Sequence, residues 1–354
     1  MSANSYQKVL AIETSCDDTS VAIVGNDGTV YQVTSLSQDK DHAVFGGIVP
    51  EIASRNHNAS LLPLIDICFE KSRLTMSDID GICVTSEPGL LGSLLVGVVT
   101  AKTLALAYDK PLLGVNHLEG HLLAPFLKDS EYQPPKDFTY PFLALAVSGG
   151  HTSLYVVHDL GKYEILGTTL DDAAGEAFDK FAKIAGLPYP GGPNVDRLAK
   201  SGDPSKYAFP RALLEKGSLE FSFSGVKASA GRMLQSMTKE DVAANIHHLC
   251  ASYQEAIVDT LLYKVDLALK VHFVKKHRKP RLVVTGGVSA NSRLRQKAQE
   301  LCEQKGTDLV IPPMRYCTDN AAMIGYAGIQ HFSRGERDDL SLSASSSSVK
   351  FQHV

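Results

Sequence analysis

Excess positive charge is absent: the 354-residue chain sets 35 Lys and Arg against 39 Asp and Glu, a formal net charge of −4. That excludes a protein that holds nucleic acid by bulk charge, so any RNA contact must come from a local patch or a partner protein. The one dense basic run is Lys275-Lys276-His277-Arg278-Lys279, a pattern of solvated loops as well as of RNA contacts. Cysteine is sparse. Cys16, Cys68, Cys83, Cys250, Cys302 and Cys317 form no Cys-x-x-Cys pair, which removes a cysteine-based zinc site and fits a reducing compartment. Two nucleotide fingerprints are missing. There is neither a Gly-Lys-Ser/Thr P-loop nor a Gly-x-Gly-x-x-Gly turn, so a nucleotide site would be of another type. The stretch from Met1 to Lys8 is polar and short, without a secretory core or an Arg-rich transit pattern, and the expected location is the cytoplasm. The longest apolar stretch, Leu90 to Tyr108, carries Ser93, Thr100 and Lys102. It reads as a buried helix and not as a membrane span.

A chain of this length suits two lobes of about 100 to 200 residues each. Two apolar runs, Val9 to Glu13 and Val21 to Val24, flank the polar turn Thr14-Ser15-Cys16-Asp17-Asp18-Thr19, a hairpin with a hydroxyl- and acid-rich tip. Phe142 to Val147 and Leu154 to Val157 flank Ser148-Gly149-Gly150-His151-Thr152 in the same way. Two such hairpins suggest a duplicated architecture, one per lobe. Strands at Gly81 to Thr85, Leu112 to Val115 and Leu282 to Thr285 each run into a turn and a helix, which makes the fold α/β with mixed sheets. The polar stretch Lys128 to Asp137, with Pro134-Pro135, reads as a linker. The Ser-rich end, residues 341–354, reads as a disordered tail.

His117 and His121 lie four residues apart in Asn116-His117-Leu118-Glu119-Gly120-His121. On a helix they share a face one turn apart, a geometry for joint metal ligation and also that of two ordinary surface histidines. Asn116 is placed to cap that helix, with Glu119 at capping-box spacing. In the zinc-protease pattern the Glu directly follows the first His. Here Glu119 falls two residues later, about 200° around the helix, so it points away from the metal face and proteolysis lacks a base.

The turn Ser148-Gly149-Gly150 and the pair Gly286-Gly287 lack side chains that would keep a phosphate or a flat base from the backbone, though a plain hairpin has the same composition. Asp171 to Lys180 reads as a helix with acids in its first turn. Within it Glu176 and Asp179 face Lys180 and Lys183 at salt-bridge spacing.

These segments in order resemble one family along nearly the whole chain. They are Ile12 to Thr19, Phe45 to Arg55, Asn116 to His121, Val147 to Thr152, Asp171 to Lys180, Tyr189-Pro190-Gly191-Gly192-Pro193, Phe221-Ser222-Phe223-Ser224-Gly225, Gly286-Gly287-Val288-Ser289-Ala290-Asn291 and Cys317-Thr318-Asp319-Asn320. The chain resembles the TsaD family of bacterial type, with one departure: Glu87-Pro88-Gly89 stands where the family usually reads Gly-Pro-Gly. The resemblance implies an actin-like (ASKHA) fold, two RNase H-like lobes with a ligand cleft between them. The lobes would be residues 1–130, completed by a segment around 316–335, and residues 136–315. It implies His117, His121 and Asp319 as catalytic ligands of one divalent metal per subunit, Fe2+ or Zn2+. It implies that Ala146, Val147, Ser148, Gly149, Gly150, Asp179, Gly192, Asp196 and Asn291 line a pocket for an ATP- or AMP-type nucleotide.

The implied reaction moves threonylcarbamoyl from threonylcarbamoyl-AMP to N6 of adenosine 37 in tRNAs that read codons starting with A, forming t6A. Implied partners are tRNA, a TsaB-like paralogous subunit and a TsaE-like small ATPase, with no membrane. The helices around Pro50 to Phe69 and Leu90 to Tyr108 are candidates for the surface that meets the paralogue. His151 is a candidate base and equally a turn residue. A small-molecule kinase or an ATP-binding scaffold of the same fold stays open at this point, and a metalloprotease fits least.

Overall fold

The computed structural model describes residues 6–214, 217–273 and 280–348. The basic run at 275–279 lies outside them. The chain divides into two compact units, Met1–Thr139 with Asp159–Lys162 and Arg315–Val354, and Tyr140–His158 with Tyr163–Met314.

In chain order the first unit opens with β1 (Lys8–Glu13), β2 (Asp18–Gly25) and β3 (Val30–Ser37). Then come α1 (Asp39–Ala43), α2 (Pro50–Ser72), β4 (Gly81–Glu87), α3 (Leu91–Tyr108), β5 (Leu112–Asn116) and α4 (His117–Leu123). The second unit contributes β6 (Phe142–Val147), β7 (Thr152–Asp159), β8 (Lys162–Thr168), α5 (Ala174–Ile184), α6 (Gly191–Ala199), α7 (Ser224–Gln235), α8 (Lys239–Ala268), β9 (Arg281–Thr285), α9 (Ser292–Lys305) and β10 (Asp308–Val310). The short α10 (Met314–Cys317) and α11 (Ala321–Ser333) bring the chain back to the first unit.

Each unit is built on one five-stranded sheet. The orders are β3-β2-β1-β4-β5 and β10-β9-β6-β7-β8, the same pattern twice. In the first, β1 pairs antiparallel with β2 and parallel with β4, and β4 is parallel to β5. In the second, β6 pairs antiparallel with β7 and parallel with β9, and β9 is parallel to β10. The two expected hairpins are therefore the central pairs of the two sheets, with Glu13 opposite Ser20 and Val147 opposite Thr152 closing their tips.

Alternation along β1 decides what covers the first sheet. Leu10 and Ile12 join Val21, Ile23, Leu61, Leu64, Val98 and Ala101 in one apolar cluster beneath α2 and α3. Ala11 faces the other way, where α11 lies close enough that a Cβ on Gly325 would stand 2.8 Å from Val24. A Cβ on Gly328 of the same helix would collide with the Cys83 sulfur. Only glycine lets this helix sit so near the strands. The helix Leu91–Tyr108 has the length and hydropathy of a membrane span, yet its Leu94, Val98, Ala101 and Ala105 are packed in the unit's core. In the second unit the core gathers Leu143, Leu145, Phe178, Phe181 and Tyr253. Phe181 and Tyr253 stack at 4.1 Å between ring centroids, and the Tyr253 hydroxyl donates to Ala177 O at 3.0 Å.

Three expectations change. The stretch read as a linker is held: Lys128 pairs with Gly28, and the Asp129 carboxylate takes Arg315 at 2.9 and 2.8 Å and the Tyr316 hydroxyl. Of the expected disordered tail, 341–348 is ordered, because Leu342 packs against the core and Ser345 N donates to Ser86 O at 2.9 Å. Residues 349–354 lie outside the described residues. Asp171 and Asp172 precede α5 and are not in its first turn. Asp171 accepts from Phe223 N, Ser224 N and both serine hydroxyls at the start of α7, while Asp172 meets Lys180 and Lys227.

Candidate active site

The first site is built on α4, whose seven residues are all buried. A helix of this length buries polar side chains only if they find partners. Asn116 begins it as predicted, its side chain accepting from Leu118 N at 2.9 Å and Glu119 N at 3.3 Å. His117 and His121 then stand one turn apart with ring centroids 4.8 Å from each other. Asp319, from the loop before α11, places Oδ1 at 3.4 Å from His117 Nε2 and 3.1 Å from His121 Nε2. One ligand atom from each of these three residues lies within 4.8 Å of the others.

The remaining ring nitrogens define the surroundings. His117 Nδ1 lies 3.0 Å from Glu13 Oε2 and 3.1 Å from Ser15 Oγ. This carboxylate–imidazole pair fixes the tautomer and leaves Nε2 free to ligate. Among the described residues, His121 Nδ1 is buried without a hydrogen-bond partner. Burial opposes charge on His117, Glu13 and Asp319, but their mutual attraction outweighs it. His117 is held well above the usual imidazole value, Asp319 well below the usual carboxylate value, and Glu13 is lowered. At the hairpin tip, burial and then the negative charge of Asp319 push Asp17 up and Asp18 to about 7. Two imidazole nitrogens and a carboxylate oxygen, with further carboxylates crowded behind them, are a donor set that fits a divalent cation such as zinc, iron or manganese. The Asp319 side chain is 24% exposed, so the group is open on one side.

Sequence reasoning missed Glu13. The available signal was an acid closing an apolar strand, in a position where alternation predicts burial. Glu119 turns away from the histidines, as its spacing predicts, and its carboxylate reaches His331 Nε2 at 2.9 Å, tying α4 to α11.

The second set of candidate residues lies in the second unit. Ala146 and Val147 end β6, and the Ser148 to His151 turn is closed by Ser148 N donating to His151 O at 2.8 Å. Gly286 adopts φ +86°, and a Cβ there would stand 2.4 Å from Val147 O. A Cβ on Gly175 would meet Ser148 O at 2.5 Å. Close packing thus fixes the turns from behind, while among the described residues positions for a Cβ on Gly149, Gly150, Gly192 and Gly287 meet nothing within 4 Å. The polar residues of this set hold the backbone. Asp179 accepts from Gly191 N at 2.7 Å and Gly192 N at 3.3 Å, and Lys180 pairs with Glu176 at 2.7 Å. Asp196 accepts from Ser292 N at 3.0 Å and its hydroxyl at 2.7 Å. Asn291 caps α9 and donates to Gln254 at 2.7 Å.

Fold and site together define a class: a protein of ASKHA-type fold with a histidine–histidine–aspartate group that could hold a metal. HypF from T. kodakarensis superposes with a TM-score of 0.60 at 12% identity, covering 94% of this chain and 49% of that one. Component A of (R)-2-hydroxyglutaryl-CoA dehydratase from Acidaminococcus fermentans superposes at 0.51 and 13% identity, covering 92% and 98%. At such identities the likeness concerns fold alone. The family model for TsaD, tRNA N6-adenosine threonylcarbamoyltransferase, matches residues 29–326. A Bdellovibrio bacteriovorus protein of that name is 58% identical over 96% of this chain and 97% of its own length. One from Anaeromyxobacter dehalogenans is 50% identical over 95% and 98%. The chain belongs to the TsaD family of tRNA N6-adenosine threonylcarbamoyltransferases, enzymes of tRNA t6A formation. The kinase, scaffold and protease readings fall with that assignment.

Proposed function

We propose that the chain moves the threonylcarbamoyl group from threonylcarbamoyl-AMP to N6 of adenosine 37 in tRNAs that read codons beginning with A. The observation that carries the chemistry is the convergence of His117, His121 and Asp319 in a chain of this family. These three residues would hold one divalent ion, Fe2+ or Zn2+. Such an ion, when bound, supplies positive charge to a carbonyl or phosphate oxygen of the donor. Glu13 keeps His117 in the ligating tautomer. The open glycines at 149, 150, 192 and 287, with Ala146, Val147 and Ser148, form the surface for the adenylate. Asp179, Asp196 and Asn291 keep its backbone groups in place. N6 attacks the carbamoyl carbon, the bond to the phosphate oxygen breaks, AMP leaves with that electron pair, and the proton that N6 loses passes to the departing phosphate or to water. Because the exocyclic amine is a weak nucleophile, fixing donor and acceptor supplies much of the rate. Residue 37 lies in a loop, so its base is presented without opening a duplex.

The charge of −4 favours shared tRNA binding, and the enzyme works in the cytoplasm with a TsaB-like paralogue and a TsaE-like ATPase. Support for a partner comes from α2 and α3, adjacent helices that leave Leu62, Leu91, Leu95, Val99 and Leu106 exposed. The test combines the protein and its partners with synthetic threonylcarbamoyl-AMP and unmodified tRNA, with modified adenosine scored by mass spectrometry. Product is expected, and its loss with folded His117→Ala. No product from folded, metal-loaded protein with partners present would overturn the reading.

A further inference from the structure

The helix that carries both histidines starts at a side chain whose hydrogen-bonding positions are all used. Asn116 Oδ1 accepts from Leu118 N and Glu119 N. Its Nδ2 donates to Glu87 Oε1 at 3.0 Å and to Ser348 Oγ at 2.6 Å. A primary amide offers two lone pairs and two N–H donors, so its inventory is filled.

The two acceptors are not equivalent. A hydroxyl accepts or donates and tolerates either orientation of the amide. A carboxylate only accepts. Glu87 therefore requires the amine end of Asn116 to face it, which turns Oδ1 toward the N–H groups of α4. Glu87 is 5% exposed and ends β4, where a shift in the β4–β5 register sets it opposite Asn116. This is the residue at which the chain departs from the family's usual glycine, which offers no side-chain acceptor.

Ser348 arrives on a segment that follows β5. Asp338 N donates to Leu112 O at 2.8 Å, and the Asp338 carboxylate accepts from Gly114 N at 2.8 Å. Leu342 then packs over Gly114, where a Cβ would stand 2.7 Å from its Cδ1. Ser345 joins Ser86, beside Glu87, and Ser348 ends at Asn116.

We propose that Glu87, with the 338–348 segment behind it, is a positioning residue for the metal ligands: it sets the Asn116 amide and so the start of the helix that aims His117 and His121 at Asp319. This rests on metal binding at those three residues. The experiment uses the full chain and measures the zinc dissociation constant by competition with a chromogenic chelator. Amide hydrogen exchange at Leu118 and Glu119 is followed in the same samples. Glu87→Gln puts an amide opposite an amide; the new side chain presents either oxygen or NH2, so only the Leu118 and Glu119 N–H groups still set the Asn116 orientation. Outer-shell changes cost 10- to 100-fold in metal affinity, and one step further out the expected loss is about 3- to 10-fold, with faster exchange at both amides. Asn116→Asp keeps a helix cap but opposes two carboxylates, and loses more.

The double variant Glu87→Gln/Asn116→Asp restores a donor facing an acceptor in reversed sense, and should return zinc affinity to within about 2-fold of the parent. A merely structural role would lower the melting temperature without moving zinc affinity. Unchanged zinc affinity in folded Glu87→Gln, or a double variant no better than Asn116→Asp, overturns the proposal. His117→Ala separates the two levels. If it binds zinc as the parent does, the metal reading fails and takes this one with it. If it loses zinc while Glu87→Gln does not, only the positioning role falls.

Discussion

Glu13→Gln is the sharpest probe of the proposed metal centre. Glu13 is fully buried and serves three donors: Ser15 N on Oε1, and the Thr85 hydroxyl and His117 Nδ1 on Oε2. An isosteric amide cannot reproduce this. With its NH2 toward Ser15, two donors face each other; turned around, the NH2 confronts Thr85 and the His117 Nδ1–H that must be held for Nε2 to ligate. The variant also removes the negative charge that raises the basicity of His117. Loss of such an outer carboxylate costs about 10- to 100-fold in metal affinity, or about 1.4 to 2.8 kcal/mol. Without metal the balance differs. The lost hydrogen bonds are offset by relief from burying a charge, so stability in chelator should change by no more than about 2 kcal/mol. The assay is zinc competition paired with denaturant unfolding of the chelated protein. A folded variant that binds zinc as tightly as the parent would refute the reasoning that Glu13 sets the ligating tautomer.

Three further predictions follow from other regions. Gly286→Ala forces a side chain into a φ of +86° and against Val147 O. It should cost about 3 kcal/mol, read by denaturant unfolding, and an unperturbed midpoint would show the turn to be adaptable. Burial opposes the charge of Glu255, but its hydrogen bonds to Arg293 and Lys297 outweigh this and pull it to about 2. A carboxyl lowered on folding contributes stability above its unfolded value of about 4.5 that is lost as pH falls from there toward 2. Glu255→Gln should therefore lower stability by about 1 to 2 kcal/mol at pH 7 and less at pH 3, and equal losses at both values would disprove the pairing. Val99→Glu, on the exposed side of α3 where Val99 is 57% exposed, should leave the melting temperature unchanged. It should weaken binding of the proposed TsaB-like partner by at least about 10-fold, since a charge would enter an apolar contact unpaired; unchanged binding in a titration would overturn the proposed partner surface.

Much of the fold was legible locally. The hairpin tips, the helix from Leu91 and the Asn116 cap all depend on residues within a turn or a strand pair of one another, which is what periodicity and capping report. The errors share a cause. Asp171 and Asp172 looked like first-turn acids because that is what acids before a helix usually are; their partners are Ser222, Ser224, Lys180 and Lys227. Residues 128–137 and 341–348 looked free because they are polar. Asp129 and Ser345 are anchored by Arg315 and Ser86, far along the chain.

The sequence by itself determined the strand and helix periods, the spacing that puts His117 and His121 on one face, and the ordered motifs that mark the family. Those features need only the chain's own stereochemistry and neighbours a few residues away. Which carboxylate meets the histidines was decided by tertiary structure. Asp319 lies 198 residues from His121 and Glu13 lies 104 from His117, and no local pattern pairs them. The packing of α11 against β1, through Gly325 and Ala11, and its Glu119–His331 tie to α4 bring the loop before that helix to the histidines. Tertiary structure likewise turned Glu119 to His331 and Glu87 to Asn116. A buried charged group must find a partner, and which partner it finds depends on which distant segments share its space.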